Sequence, residues 1–378
     1  MRASPPRFVR KDNMGFSDFL GNERVVRAVR GMLHRERVPS AMLFTGPRGI
    51  GKFTLARMFA QAANCRRLQD DFCGECETCR GIARLQNPAE LVAAGLAERG
   101  ENADAAAVER TPLIVEPHPD VWLIVPDPVR LRNPVARPMI RVGQLRAVQR
   151  AAYFQPLGRR RVFILDGADT MRWSDADLFL KILEEPPESA TLILLAQSPD
   201  SLLPTIRSRC LQFHFAPVPA EEIAAFLTSR AELTRDKRIL AAQLSAGSPG
   251  AALTLDLAES VRLRANVFHL LENAVTGKKY GEIFAATAQL AKQEKESFEN
   301  ILLLFYSLLT DLLEASQGNQ SRLPRNPDLR REIQSLAGRT DWRWVLRATR
   351  GLDILERRLR RNIGRQLGLD AVVVSLGA

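Results

Sequence analysis

Gly46-Pro47-Arg48-Gly49-Ile50-Gly51-Lys52-Phe53 has the spacing of a phosphate-binding loop, G-x-x-x-x-G-K-[ST], in all but its last residue. The pattern works because glycines let backbone N–H groups wrap phosphates, the lysine reaches the β- and γ-phosphates, and the final hydroxyl holds Mg²⁺. Phe53 stands where that hydroxyl belongs. Thr54 does not replace it, because one step along a helix turns a side chain by about 100°. Gly46, Gly49, Gly51 and Lys52 are thus candidate phosphate ligands, and a vestigial glycine turn is the competing reading. Neither reading supports unaided hydrolysis.

Such a loop hydrolyses nucleotide only with a carboxylate at a strand end to support Mg²⁺. Asp166 closes the apolar run Val162-Phe163-Ile164-Leu165 and is the candidate. The next position, where a glutamate would polarise the attacking water, is Gly167. With a glycine after it, Asp166 also reads as a helix N-cap or turn residue. Two parts of a hydrolytic site are therefore missing, from two separate motifs.

Four of the five cysteines, Cys65, Cys73, Cys76 and Cys79, have the spacing C-x7-C-x2-C-x2-C. Overlapping C-x-x-C knuckles and a fourth thiolate match a tetrahedral Cys₄ zinc site, and a closed set of four leaves no open position for catalysis. The zinc would be a structural staple for a small module of about residues 65–82. Ser208-Arg209-Cys210 precedes the last apolar run of the first half of the chain. An arginine there is either a salt-bridged surface residue or one offered in trans to a neighbour's γ-phosphate.

These residues need elements to hold them. Ala41-Met42-Leu43-Phe44-Thr45 reads as a buried strand running into the glycine loop, and Thr54–Asn64 as the helix leaving it. Val121–Val125, Val162–Asp166, Leu192–Ala196 and Leu211–Phe215 are further strands. Val142–Phe154 and Ala176–Glu185 have helical periodicity between them. Alternating strands and helices predict a parallel sheet flanked by helices, with phosphate at the carboxyl ends of the strands. Gln86–Pro117, rich in Ala, Glu and Gly, reads as an inserted surface excursion, disordered in part. After Pro217 and Pro219 the chain reads as helical, with no strand pattern until its last residues.

A length of 378 residues suits two or three domains, and a net charge of +11 suits partners that carry phosphate or acidic surfaces. Arg159-Arg160-Arg161 reads either as a candidate basic patch for phosphates or as a solvated run before a strand. The basic Met1–Lys11 segment lacks an apolar core, and Ile301–Leu313 is too short and too polar to span a bilayer. A cytoplasmic location without membrane contact is expected.

Leu180-Lys181-Ile182-Leu183-Glu184-Glu185-Pro186-Pro187, followed by Leu203-Pro204-Thr205-Ile206-Arg207-Ser208-Arg209-Cys210, resembles the bacterial clamp-loader subunits of DNA polymerase III. Phe16-Ser17-Asp18-Phe19-Leu20-Gly21-Asn22-Glu23 is similar to their N-terminal box, and His118-Pro119-Asp120 and Ile140-Arg141-Val142 occur where the family has similar segments. The four-cysteine module is also a family feature. The resemblance covers about the first 215 residues well. It covers the rest weakly, mainly over Asn362 to Leu376, which is similar to the end of the family's collar.

The resemblance implies an AAA+ P-loop domain over residues 1–216, an all-helical lid over 217–259 and an all-helical collar over 260–378 that oligomerises. It separates two kinds of subunit. A gamma/tau-type motor has Ser or Thr after Lys52, Glu after Asp166, and an arginine where Gly250 stands in Gly247-Ser248-Pro249-Gly250-Ala251. The chain departs from the motor in all three places while keeping Arg209. It therefore resembles the non-hydrolysing delta-prime neighbour, in which this arginine is a finger for the adjacent ATP site. The implied partners are gamma/tau and delta subunits, the sliding clamp and primed DNA. Structural zinc is the implied cofactor, and nucleotide binding without hydrolysis stays open. A gamma/tau-type ATPase with an atypical loop, and a nucleic-acid binder working outside any ring, are the alternatives. Two departures from the family remain: the gap before Cys73 is one residue short, and the insertion at about residues 86–117 has no counterpart.

Overall fold

A computed structural model of the chain describes residues 15–99, 105–128, 138–171, 173–229, 232–277, 280–292, 295–318, 324–359 and 364–377. Met1–Lys11, Arg360, Arg361 and Asn362 lie outside the described residues. The chain divides into two compact units. Among the described residues, one comprises 15–229 with Ser248–Ala251, and the other 232–247 with 252–377.

The first unit is built on a six-stranded sheet: β1 (Ala41–Thr45), β2 (Val115–His118), β3 (Val121–Ile124), β4 (Arg161–Asp166), β5 (Ala190–Ala196) and β6 (Leu211–His214), in the order β2-β3-β4-β5-β1-β6. Strands β3 to β6 and β1 pair in parallel. The central strands β1 and β5 and the middle of β4 are β-branched or apolar without alternation, as a sheet covered on both faces requires, and every residue of β1 and β5 is buried, whereas the edge strand β6 is largely exposed.

The helices of this unit are α1 (Glu23–His34), α2 (Lys52–Asn64), α3 (Glu77–Ala83), α4 (Pro88–Arg99), α5 (Ala105–Arg110), α6 (Val142–Ala152), α7 (Trp173–Glu184), α8 (Pro204–Arg207) and α9 (Ala220–Thr228). Leu145 and Val148 of α6 and Phe179, Ile182 and Leu183 of α7 share one core with Leu43, Phe163, Leu165, Leu192 and Leu194. Neighbours of opposite parity, such as Met42, Phe44, Ile164 and Ile193, are equally buried and point to the other face. Asn22 ties the N-terminal box to the segment after β6: its Nδ2 donates to the Ala216 carbonyl, and its Oδ1 accepts from the Ala216 N–H at 2.8 Å.

One strand departs from the parallel expectation. β2 lies at the sheet edge and pairs antiparallel with β3. It is four residues long and contains Pro117, which supplies no N–H and is tolerated only at an edge. The rest of the insertion is not a loose excursion. Helices α4 and α5 fill most of it, and Arg99 at the end of α4 donates to Asp127 Oδ2 at 2.6 Å in a fully enclosed ion pair. Arg141 lies 3.8 Å from the same oxygen. Asp127 is bridged to Met139 through both backbone N–H groups.

The helices after α9 are α10 (Arg235–Leu244), α11 (Pro249–Thr254), α12 (Leu257–Thr276), α13 (Tyr280–Ala291), α14 (Lys295–Ser316), α15 (Arg330–Ala337), α16 (Trp342–Leu359) and α17 (Arg365–Gly377). The second unit is all-helical among its described residues and closes on an apolar core that includes Leu263, Val267, Phe305, Leu308, Leu352 and Val373. The valine run at the chain's end is helical, not extended. Leu369, Val372, Val373 and Leu376 recur at i, i+3, i+4 and i+7 and are all buried, so packing overrides β-propensity. Arg264 is buried in this unit with its terminal nitrogens donating to Asp328 and Asn326, and Asp311 in turn accepts the N–H of Asn326 at 2.8 Å.

Candidate functional site

The glycine loop joins β1 to α2, and α2 begins at Lys52 with Gly51 as its left-handed cap. The Lys52 ammonium folds back over the loop, donating to the carbonyls of Gly46 at 2.6 Å and Pro47 at 2.8 Å. Burial pushes Lys52 down to about 8, while Asp166 and Asp169 pull it the other way. Asp166, at the end of β4, is raised by burial and lowered in part by Lys52. The fold therefore brings Gly46, Gly49, Gly51, Lys52 and Asp166 to one end of the sheet. Phe53 follows Lys52 in the first turn of α2 and supplies no oxygen there.

The segment Ser248–Ala251 closes over this loop. Ser248 Oγ donates to the Arg48 carbonyl, and the Gly250 N–H donates to the Gly49 carbonyl at 2.9 Å. Gly49 has φ +75°, and a Cβ on it would stand 2.9 Å from the Ala251 nitrogen. A Cβ on Gly250 would stand 2.8 Å from the Gly49 oxygen. Two backbones touch, and neither position has room for a side chain. Gly250→Ala is expected to lower stability by about 1–3 kcal/mol through overpacking against backbone. The check is the shift in the urea midpoint, and an unchanged midpoint would mean that the contact is loose.

Arg209 follows α8 and stands two residues before β6. Its Nη1 donates to the Thr205 carbonyl at 2.9 Å and its Nη2 to Glu184 Oε1 at 2.7 Å, with both side chains exposed. It lies in the same unit as the loop, but no contact joins it to Lys52 or Asp166 among the described residues.

Cys65, Cys73, Cys76 and Cys79 converge, their sulfurs all within 4.8 Å of one another. Four thiolates around one zinc at about 2.3 Å sit roughly 3.8 Å apart, and the Cys73–Cys79 sulfur separation is 4.0 Å. The backbone N–H of Cys76 donates to Cys73 Sγ at 3.3 Å and that of Cys79 to Cys76 Sγ at 3.5 Å, which orients the sulfurs and favours their thiolate form. Burial would raise Cys73, but N–H donors from Cys76 and Glu75 bring it down to about 6. Cys79 is raised, first by burial. The donor set fits a metal ion held by four sulfurs. Cys210 stands apart, and burial pushes it up to about 12, as for an inert core thiol. Elemental analysis of the purified chain is expected to give about one zinc per chain, and Cys79→Ser to lose it. Metal-free wild type with an unchanged melting curve would contradict this.

The Arg159-Arg160-Arg161 run is not an open patch. Arg160 donates to the Ala190 carbonyl and Thr191 Oγ1, and Arg161 donates to the Ala151 carbonyl, lies 3.9 Å from Asp120 and stacks over Phe154. Only Arg159 is exposed. Two of the three arginines serve the fold, because a strand starting at Arg161 carries them into the sheet.

Sequence reasoning missed three contributors. Glu184 lies in a recognised motif, but only the fold brings it to Arg209. Phe19 places its ring against Gly51 and edge-on to Phe215, with centroids 6.5 Å apart. Asp127 had no signal, being an isolated acid between apolar and basic residues.

The family model described as "DNA polymerase III, delta subunit" matches residues 21–219, and "DNA polymerase III, delta subunit, C terminal" matches residues 259–373. The chain is 29% identical over 213 residues to DNA polymerase III subunit tau/gamma of Haemophilus influenzae, covering 56% of this chain and 25% of that one. It is 30% identical over 214 residues to subunit gamma/tau of Mycobacterium tuberculosis, covering 56% and 30%. The chain thus spans between a quarter and a third of the length of these curated relatives. Among solved structures it is similar to a DNA polymerase III gamma subunit-related protein of Thermotoga maritima, at 18% identity, 93% and 98% coverage and a TM-score of 0.34. A DNA clamp loader delta protein of Bacillus subtilis is similar at 13% identity, 93% and 98% coverage and a TM-score of 0.30.

Proposed function

The chain belongs to the DNA polymerase III delta subunit family, and from that premise we propose that it is a delta-prime-type subunit of the clamp loader. It assembles with gamma/tau and delta subunits, offers Arg209 to the ATP site of an adjacent motor, and assists loading of the sliding clamp onto primed DNA. Its AAA+ domain, residues 1–216, carries the loop and the arginine. Residues 217–259 act as a lid and 260–378 as the oligomerising collar. It works in the cytoplasm as a replication protein. No helix among the described residues is long and apolar enough to cross a membrane.

The observation that carries this reading is the Gly49–Gly250 contact. A motor of this family has an arginine at the position of Gly250, and here the peptide backbone touches the phosphate loop, with no space for a Cβ. Phe53 and Gly167 remove the magnesium hydroxyl and the water-polarising carboxylate as well. Lys52 and Asp166 persist, so the loop still suits nucleotide phosphate or serves as a scaffold. Zinc held by Cys65, Cys73, Cys76 and Cys79 supplies no chemistry at the loop. It fixes the segment between α2 and α3, and Gln61 of α2 ties into it by donating to the Cys79 carbonyl at 3.0 Å. The net charge of +11 favours DNA contact through phosphates, which makes that contact salt-dependent.

The second reading, a gamma/tau-type ATPase, draws on the 29–30% identity to tau/gamma relatives. Co-purification with a gamma/tau-type subunit of the same organism tests the proposal. A stoichiometric hetero-oligomer is the expected result. A chain that never associates would contradict it and favour a nucleic-acid binder working alone.

A further inference from the structure

Arg209 does not hang free. Glu184, the last residue of α7, lies 25 positions earlier in the chain, yet its Oε1 takes a hydrogen bond from Nη2 at 2.7 Å. The Thr205 carbonyl, one turn back along α8, takes Nη1 at 2.9 Å. A guanidinium has five N–H donors, so these two contacts leave Nε–H, the second Nη2 hydrogen and a second Nη1 hydrogen that makes only a long 3.5 Å contact with Ser208 Oγ.

The pair is not what holds α7 to α8. Ile182 and Leu183 of α7 and Ile206 of α8 already share the apolar core with Leu202. The Arg209 and Glu184 side chains are 35% and 51% exposed, and ion pairs in such a setting add little to stability. What the contact changes is the freedom of the side chain. An arginine that must meet a phosphoryl group across a subunit boundary loses rotamer freedom when it does so, and a side chain already held in one geometry loses less.

We propose that Glu184 is a positioning residue for Arg209. Its carboxylate grips one terminal nitrogen, and with Thr205 it presents the remaining N–H donors to an anionic oxygen of a nucleotide on the adjacent subunit. The inference rests on the reading of Arg209 as a residue that acts in trans.

The test is steady-state ATP turnover of the complex assembled with the gamma/tau-type subunit, with wild type, E184A, E184Q, R209A and the E184A/R209A pair in parallel. E184A is expected to lower kcat about three- to tenfold with KM unchanged. E184Q, which keeps an acceptor oxygen, is expected to retain most of the rate. The double variant is expected to be no slower than R209A alone, because two residues acting through one contact do not add. If R209A slows turnover while E184A leaves it unchanged or raises it, positioning is wrong and the arginine's role stands. If E184A slows turnover but its loss adds fully to that of R209A, Glu184 acts through some other group and the inference fails. If R209A itself changes nothing, the trans reading fails first, and Glu184 loses its role with it.

Discussion

Replacing Arg209 by alanine is expected to slow ATP turnover at the one neighbouring site it serves by about 10³-fold, or about 4 kcal/mol of transition-state stabilisation. The size follows from where charge develops. Phosphoryl transfer spreads negative charge over the equatorial oxygens, and a guanidinium delivered by a neighbour meets that charge without solvent reorganisation. Arg209 suits the task by its exposure and by the N–H donors left over after Glu184 and Thr205. Arg209→Lys is expected to recover little, since a point charge does not reproduce the planar fork. Single-turnover hydrolysis in the assembled complex separates this site from the others.

Asp127→Ala is expected to lower the stability of the first unit by about 3–5 kcal/mol, because it strands a buried guanidinium. The Arg99 and Asp127 side chains are 2% and 0% exposed, and Arg141 approaches the same carboxylate. Removing the acid deprives Arg99 of its counter-charge in a place water does not reach. The check is chemical denaturation followed by fluorescence in a background where Trp173, Trp342 and Trp344 are replaced by Phe, leaving Trp122 on β3, three residues before Val125, as the reporter. The double variant Arg99→Met/Asp127→Leu is expected to recover most of the loss, since a buried pair exchanged for apolar residues of similar size is often neutral. A single variant as stable as wild type would mean that the insertion is not held by this pair.

The strands were legible where burial is complete. Ala41–Thr45 and Val162–Asp166 are uninterrupted apolar runs bounded by turn residues, and a sheet covered on both faces writes that signature directly. Val115–His118 was not legible. Four residues with a proline do not declare a strand, and the pairing with β3 that makes them one is a tertiary event. The insertion misled for a related reason. Ala-, Glu- and Gly-rich composition leaves α4 without a buried residue, so nothing in its own pattern marks it as ordered. Its anchor is the single arginine at its end. At the site, spacing alone names Gly46, Gly49, Gly51, Lys52 and the four cysteines. It cannot reveal that Gly250 touches Gly49, that Glu184 grips Arg209, or that Arg160 and Arg161 are spent inside the fold. The Glu184–Arg209 and Gly49–Gly250 contacts join residues 25 and 201 positions apart, and periodicity carries no information at that range.

The subunit proposed above has no catalysis of its own and lends an arginine to its neighbour. The most direct test is Mg²⁺-dependent ATP hydrolysis by the purified chain alone, followed by the same assay with the gamma/tau-type subunit added. The account predicts no turnover above background for the chain alone, and turnover in the assembly that falls when Arg209 is replaced. Turnover by the chain alone that disappears in Lys52→Ala would contradict it.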